Sequence, residues 1–217
     1  MVRELLIATR SAGKLRELAP MLADLGFRVL NLEHAGIAAQ PAEDGLEVFD
    51  TFEENALAKA RWFAALSGGR PVIADDSGLA VDALGGHPGV RSKRWSGRDD
   101  LDGEELDALN NQLLIQRLQA TAAAEPWSAQ YVCAAACAWS GGELVVRGES
   151  RGEIVRTPRG AGGFGYDPHF LSHEFGRTFA ETTREEKSRV SHRGRAVRAL
   201  VARLLANNAF RGESAND

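Results

Sequence analysis

The stretch from Leu5 to Leu30 reads as strand, loop, helix and strand, and that order commits the chain to α/β architecture. Leu5-Leu6-Ile7-Ala8 is a short apolar run of the kind that forms a buried strand. Polar Thr9-Arg10-Ser11-Ala12-Gly13-Lys14 interrupts it. Leu15, Leu18, Leu22 and Leu25 then recur at helical spacing, and Gly26 stops the helix. Phe27 to Leu30 supplies a second strand.

Further along, residues 31 to 50 are acidic and loop-like. Thr51-Phe52-Glu53-Glu54 has the spacing of a capping box, opening a helix that carries Leu57, Ala60 and Ala64. Pro71 to Ala74 is a short strand. Residues 83 to 103, rich in Gly, Pro and Asp, read as loop. Residues 104 to 120 form a helix with Leu106, Leu109 and Leu113 on one face. Two runs, Gln130 to Trp139 and Glu143 to Gly148, flank Ser140-Gly141-Gly142 and predict a β-hairpin. A last helix follows Ser191, with Val197, Leu200, Val201, Leu204 and Leu205 on its apolar side. No repeat or linker breaks the pattern, so one continuous domain is expected over residues 1–207, with a polar tail over 208–217.

A chain of 217 residues with 44% apolar content can bury a sizeable core. Its net charge of −4 argues against a bulk polyanion such as DNA as partner. No apolar run approaches the roughly 20 residues of a membrane helix. Met1-Val2-Arg3-Glu4 has an acidic residue where a signal peptide would be basic, and the apolar run after it is short, so no signal peptide and a cytoplasmic protein are expected. Cys133 and Cys137 are about 13 Å apart along a strand, beyond the roughly 7 Å reach of a disulfide, and read as reduced core residues.

The richest motif is Val72-Ile73-Ala74-Asp75-Asp76-Ser77-Gly78. It reads as a strand ending in two carboxylates, a hydroxyl and a glycine that permits a tight turn. Strand residues alternate faces, so Asp75 and Asp76 point opposite ways. A carboxylate there suits a Mg²⁺ anchor for phosphate chemistry. Read alone, the motif is more simply a solvated Asp-Asp-Ser-Gly turn.

Four other clusters accompany it. Thr9, Ser11 and Lys14 sit at a helix N-terminus, whose N–H groups and dipole favour phosphate, although Ser11 is equally a plain helix cap. Glu43-Asp44-Gly45-Leu46-Glu47 can lend a carboxylate to a metal, with Asn55 and Lys59 following on one helix face. Phe164-Gly165-Tyr166-Asp167-Pro168 is a Gly-rich loop whose backbone and rings can approach a base. Lys187, His192 and Arg193 belong to a basic patch at the start of the last helix, where cations oppose the dipole unless an anion is present. His169 and His173 lack the companion Glu of a zinc protease motif and read as ordinary surface or core histidines. No Ser/His/Asp triad is apparent.

Taken in order, these motifs resemble the inosine triphosphate pyrophosphatase family, from Leu6 to Leu205. The resemblance implies an elongated mixed α/β fold, with flanking helices, two lobes around a nucleotide cleft and a homodimer. It implies Mg²⁺-dependent cleavage of ITP, dITP or XTP to the monophosphate and pyrophosphate. Carried onto this chain, Asp76 is the metal-linked general base. Thr9, Ser11, Lys14 and Ser77 hold phosphates and sugar. Phe164, Gly165, Tyr166, Asp167, Lys187, His192 and Arg193 form the base pocket. Two departures stand out. Arg10-Ser11 replaces the family's usual Gly-Asn. The acidic segment reads Glu47-Val48-Phe49-Asp50-Thr51-Phe52, so an ungapped match makes Glu47 the second metal carboxylate, while matching Gly45 to the family's glycine makes it Glu43. Glu47 is preferred. A pyrophosphatase for other modified nucleotides, or a non-catalytic nucleotide sensor, are the rival readings.

Overall fold

The computed structural model describes residues 3–207; the expected polar tail over 208–217 lies outside the described residues. The elements run β1 Arg3–Ile7, α1 Ala12–Asp24, β2 Phe27–Asn31, α2 Phe52–Leu66, β3 Val72–Val81, α3 Gly103–Gln119, β4 Trp127–Trp139, β5 Gly142–Ile154, β6 Phe170–Ser172, β7 Arg177–Thr178, α4 Arg184–Val190 and α5 His192–Ala206. Seven strands form one mixed sheet in the order β2-β1-β3-β4-β5-β6-β7. β1 pairs in parallel with both β2 and β3, in register Leu6 with Val72 and Ile7 with Ile73. β6 runs antiparallel to β5 and to β7. The fold class expected from the sequence, a mixed sheet with flanking helices, is the one found.

The chain packs as two compact units. The first takes the described residues of Met1–Asp76, Cys133–Gly148 and Arg193–Asp217; the second takes Ser77–Val132 and Glu149–His192. Each has its own apolar core. In the first, Leu5, Ile7 and Ile73 meet Leu18 and Leu22 of α1 and Val197, Leu200 and Leu204 of α5. In the second, Leu79, Val81, Tyr131, Ile154 and Phe170 meet Leu114 and Leu118 of α3 and Phe179. Cys133 and Cys137 are free and buried in β4, and burial pushes the Cys137 thiol up to about 12.

Three sequence expectations are corrected. β3 does not end before the two carboxylates: it runs ten residues, from Val72 through Asp75, Asp76, Ser77 and Gly78 to Val81. Gly78 serves close packing rather than a turn. A β-carbon there would lie 2.3 Å from the Gly89 carbonyl oxygen and 2.4 Å from Ser92 Oγ. Second, α3 buries Leu106, Asn110, Leu114 and Leu118, while Leu109 and Leu113 are half-buried. Asn110 can take a core position because its amide is satisfied: Oδ1 accepts from Ser96 N at 2.8 Å and Nδ2 donates to Lys93 O at 3.0 Å. Third, the basic patch does not lie on one helix. Lys187 belongs to the separate α4, capped by Thr183, while His192 and Arg193 open α5.

Candidate functional site

Two polar clusters emerge, one in each unit. The first is built on the alternation of β3. Asp75 shares its strand face with Ile73, which packs against α1 and α5. Its carboxylate therefore meets cations from those helices: Arg193 Nε donates to Oδ2 at 3.0 Å, and Lys14 Nζ lies 3.3 Å from the same oxygen. Arg193 also pairs with Glu17 of α1. From α2, Lys59 Nζ donates to the Asp75 main-chain oxygen at 2.5 Å. Burial alone would push the Asp75 carboxyl up. Lys14, Arg193 and Lys59 outweigh it and hold Asp75 far below the usual carboxylate range.

Asp76 faces the other way, as its position in the strand requires. Asn55 Nδ2 of α2 donates to its Oδ2 at 2.9 Å. Asn55 is held in turn by Phe49, donating to its carbonyl and accepting from its N–H. Asp76 is 6% exposed, and its carboxyl is raised from the ordinary value. Burial is the main cause, and the Glu47 charge adds to it; Lys59, Lys14 and the Asn55 hydrogen bond pull the other way. Glu47 itself pairs with Lys59.

Arg10, one of the two departures noted in the sequence, ties the acidic segment down. The guanidinium grips Glu43 with both arms, Nε to Oε2 at 3.0 Å and Nη2 to Oε1 at 2.7 Å, and donates from Nη1 to Ile37 O at 3.0 Å. Each candidate carboxylate thus carries a cation, Glu43 with Arg10 and Glu47 with Lys59, and Glu47 is the one whose charge helps to raise the Asp76 carboxyl. The oxygen donor set of Asp76 and Glu47 fits Mg²⁺, which takes one or two carboxylates and fills its other positions with water and phosphate oxygens. Among the described residues no group of three or more His, Cys, Asp or Glu is placed to hold a metal ion.

Thr9 and Ser11 stand at the start of α1. Ser11 Oγ accepts from Lys14 N at 3.3 Å as the N-cap, and Thr9 Oγ1 accepts from Ser11 N at 3.1 Å. Both hydroxyls act there as acceptors, which leaves each its own O–H for an anionic oxygen. Lys14 Nζ donates to the Asp75 main-chain oxygen at 3.2 Å. Burial disfavours its charge, yet the carboxylates, Asp75 first, raise its pKa above the ordinary value. Ser77 is half-buried in the middle of β3, first in the second unit.

The second cluster gathers the Gly-rich loop. Asp167 is 2% exposed, and its Oδ2 accepts from Phe164 N at 3.0 Å and from Lys187 Nζ at 2.6 Å. Lys187 Nζ lies 5.1 Å from the Phe164 ring centroid and 5.6 Å from that of Phe179, a cation held over two aromatic faces. His192 stacks on Tyr131 with centroids 4.6 Å apart and planes 7° from parallel. Phe164 is the half-exposed ring of the loop. Tyr166 is placed in the core of its unit, its hydroxyl donating to Ser92 O at 2.8 Å, so it supports the loop from beneath.

The structure therefore brings Lys14, Asp76 and Glu47 together, and separately Phe164, Asp167 and Lys187. Arg193, expected with the base pocket, spends its guanidinium on Asp75 and Glu17. Sequence reasoning passed over Ser92, Asp107, Asn111 and Tyr131, which carry no local motif and join the second cluster only by tertiary contact. His169 is a buried residue whose Nδ1 meets Val155 O at 2.8 Å, and His173 pairs with Glu153 on the surface.

Comparison with known proteins identifies the relatives of the chain. The chain is 48% identical to a Frankia alni protein named dITP/XTP pyrophosphatase, over 91% of this chain and 95% of that one. It is 49% identical to a protein of the same name from Mycolicibacterium paratuberculosis, over 92% and 95%. Among solved structures, a HAM1 protein from Coxiella burnetii superposes with a TM-score of 0.78 at 35% identity, covering 94% of this chain and 99% of that one. A dITP/XTP pyrophosphatase from Mycobacterium abscessus gives 0.67 at 42% identity, covering 91% and 98%. The resemblance carried by the motifs is borne out. With the Ham1 family model matching residues 5–203, the chain belongs to the Ham1 family.

Proposed function

We propose that this protein is a Mg²⁺-dependent pyrophosphatase for non-standard purine nucleoside triphosphates. It is an enzyme, a hydrolase of phosphoric anhydrides, and its named relatives are dITP/XTP pyrophosphatases. The observation that carries the reading is Asp76: a buried carboxylate of raised pKa, oriented by Asn55 and electrostatically coupled to Glu47. A raised pKa suits a group that must take a proton from water. Asp76 and Glu47 would hold the metal, which when bound neutralises phosphate charge and polarises the phosphoryl oxygens.

In the proposed reaction, water attacks phosphorus, the α–β bridging bond breaks, and monophosphate and pyrophosphate leave. Asp76 takes the proton of the attacking water. Thr9, Ser11 and Ser77 donate hydroxyls to phosphate or sugar oxygens, and Lys14 contributes a cation already oriented by Asp75. Phe164, Lys187 and His192 recognise the base. A deaminated purine carries a C6 carbonyl, an acceptor, where adenine carries an amine, so cationic and N–H donors favour it. Arg193 acts by keeping Asp75 ionised. Substrates among ITP, dITP and XTP, a homodimer and a cytoplasmic location complete the proposal. Among the described residues no helix is long and apolar enough to cross a membrane.

The test is pyrophosphate release from ITP, XTP, ATP and GTP with and without Mg²⁺. Metal-dependent release from ITP and XTP, with ATP and GTP slower by orders of magnitude, is expected. No release from any of the four by folded protein would reject the reading.

A further inference from the structure

The Gly-rich loop is gripped from outside by α3. Gly165 N donates to Asp107 Oδ2 at 2.6 Å, and Gly165 O accepts from Asn111 Nδ2 at 2.9 Å. Asp107 and Asn111 are four residues apart on one helix face, so a single rigid element holds both polar groups of one loop residue. Gly165 adopts φ +64°, and no heavy atom lies within 4 Å of where a β-carbon would sit. The left-handed backbone, not crowding, demands glycine there. A glycine in open space has the widest conformational freedom to lose, so an external clamp is what fixes it.

The clamp stands on firm ground. Leu106, Asn110, Leu114 and Leu118 anchor α3 in the core of its unit. The residues on either side of Gly165 are fastened as well: Phe164 N donates to Asp167 Oδ2, and the Tyr166 side-chain hydroxyl donates to Ser92 O. Burial raises the Asp107 carboxyl, and the Gly165 N–H works in the opposite direction by favouring the charged form.

Resting on the reading of this loop as the base site, we infer that Asp107 and Asn111 are positioning residues for base recognition. They act through Gly165 on Phe164 and touch no reacting atom. Loosening them weakens capture of the base and leaves the phosphate chemistry of the other cluster intact.

The experiment is steady-state pyrophosphate release from ITP by wild type, Asp107→Ala, Asn111→Ala and Asp107→Asn, with a thermal melt of each. Asp107→Ala and Asn111→Ala should raise KM about five- to tenfold with kcat within about twofold. Asp107→Asn keeps an amide oxygen that accepts from Gly165 N–H, and should stay within about threefold of wild type. An unchanged KM in both alanine variants overturns the inference. So does an equal fall of kcat in all three variants, the mark of general structural damage. Absence of release by wild type would instead be failure of the functional reading. The clamp is then tested by amide exchange: Gly165 N–H should exchange at least about tenfold faster in Asp107→Ala, and unchanged exchange overturns it.

Discussion

Arg193 and Asp75 stand 118 positions apart in the chain and meet at 3.0 Å, both nearly inaccessible to solvent. Lys14 joins the same oxygen at 3.3 Å. One carboxylate thus ties α1 and α5 to the middle of β3, beside the residue proposed to do the chemistry.

Asp75→Asn should destabilise the protein by about 3–5 kcal/mol at neutral pH, because buried cations lose their counter-charge. The pH dependence follows from the direction of the shift. Asp75 is held well below its ordinary value of 3.8, so its contribution is present above that value and is lost as pH falls towards the depressed folded one. Urea unfolding of the metal-free protein should show a gap between variant and wild type that narrows below about pH 4. A gap of constant size across that range would contradict the assignment.

Asp76→Asn should fold normally, since Asn55 and Asp76 can still hydrogen-bond. Turnover should fall by about 10²–10⁴-fold. Pyrophosphate release and a thermal melt, measured on the same preparation, check both halves. Turnover close to wild type would remove Asp76 from the reaction.

Glu47→Gln and Glu43→Gln should separate the two candidate metal carboxylates. Glu47→Gln is expected to raise the Mg²⁺ concentration needed for half-activation by about tenfold or more. Glu43→Gln weakens the pairing with Arg10, keeps an amide oxygen for the Gln40 N–H, and should leave that concentration within about twofold. The reverse ranking would transfer the metal role to Glu43.

Lys187 and Asp167 form a buried pair, with side chains 8% and 2% exposed. Lys187→Met leaves the Asp167 carboxylate buried without its cation and should cost about 3 kcal/mol. Adding Asp167→Asn should recover a large part of that loss. A double-mutant cycle by chemical denaturation reads the coupling, and strictly additive costs would show that the two charges are not interdependent.

The α/β class, the opening βαβ unit and the helix caps at Ser11 and Thr51 were legible from residue order, because each depends on periodicity or on contacts within one turn. The opposite facing of Asp75 and Asp76 was legible for the same reason: alternation is a property of any strand. The length of β3 was not. Asp-Asp-Ser-Gly has the composition of a turn, and it remains strand because the Asp75 charge is met by Lys14 and Arg193 and because Gly78 admits Ser92 at close range. Glu47 and Glu43 look alike in sequence; tertiary contact gives Glu43 to Arg10 and Glu47 to Lys59, with Glu47 the one coupled to Asp76. The pairing of Gly165 with Asp107 and Asn111, 58 and 54 positions away, left no local signature. Sequence by itself determined the order of elements, the caps and the alternation along β3, but not the buried face of α3. Tertiary structure decided which side chains meet, because a buried charge takes its partner from whichever element packs against it.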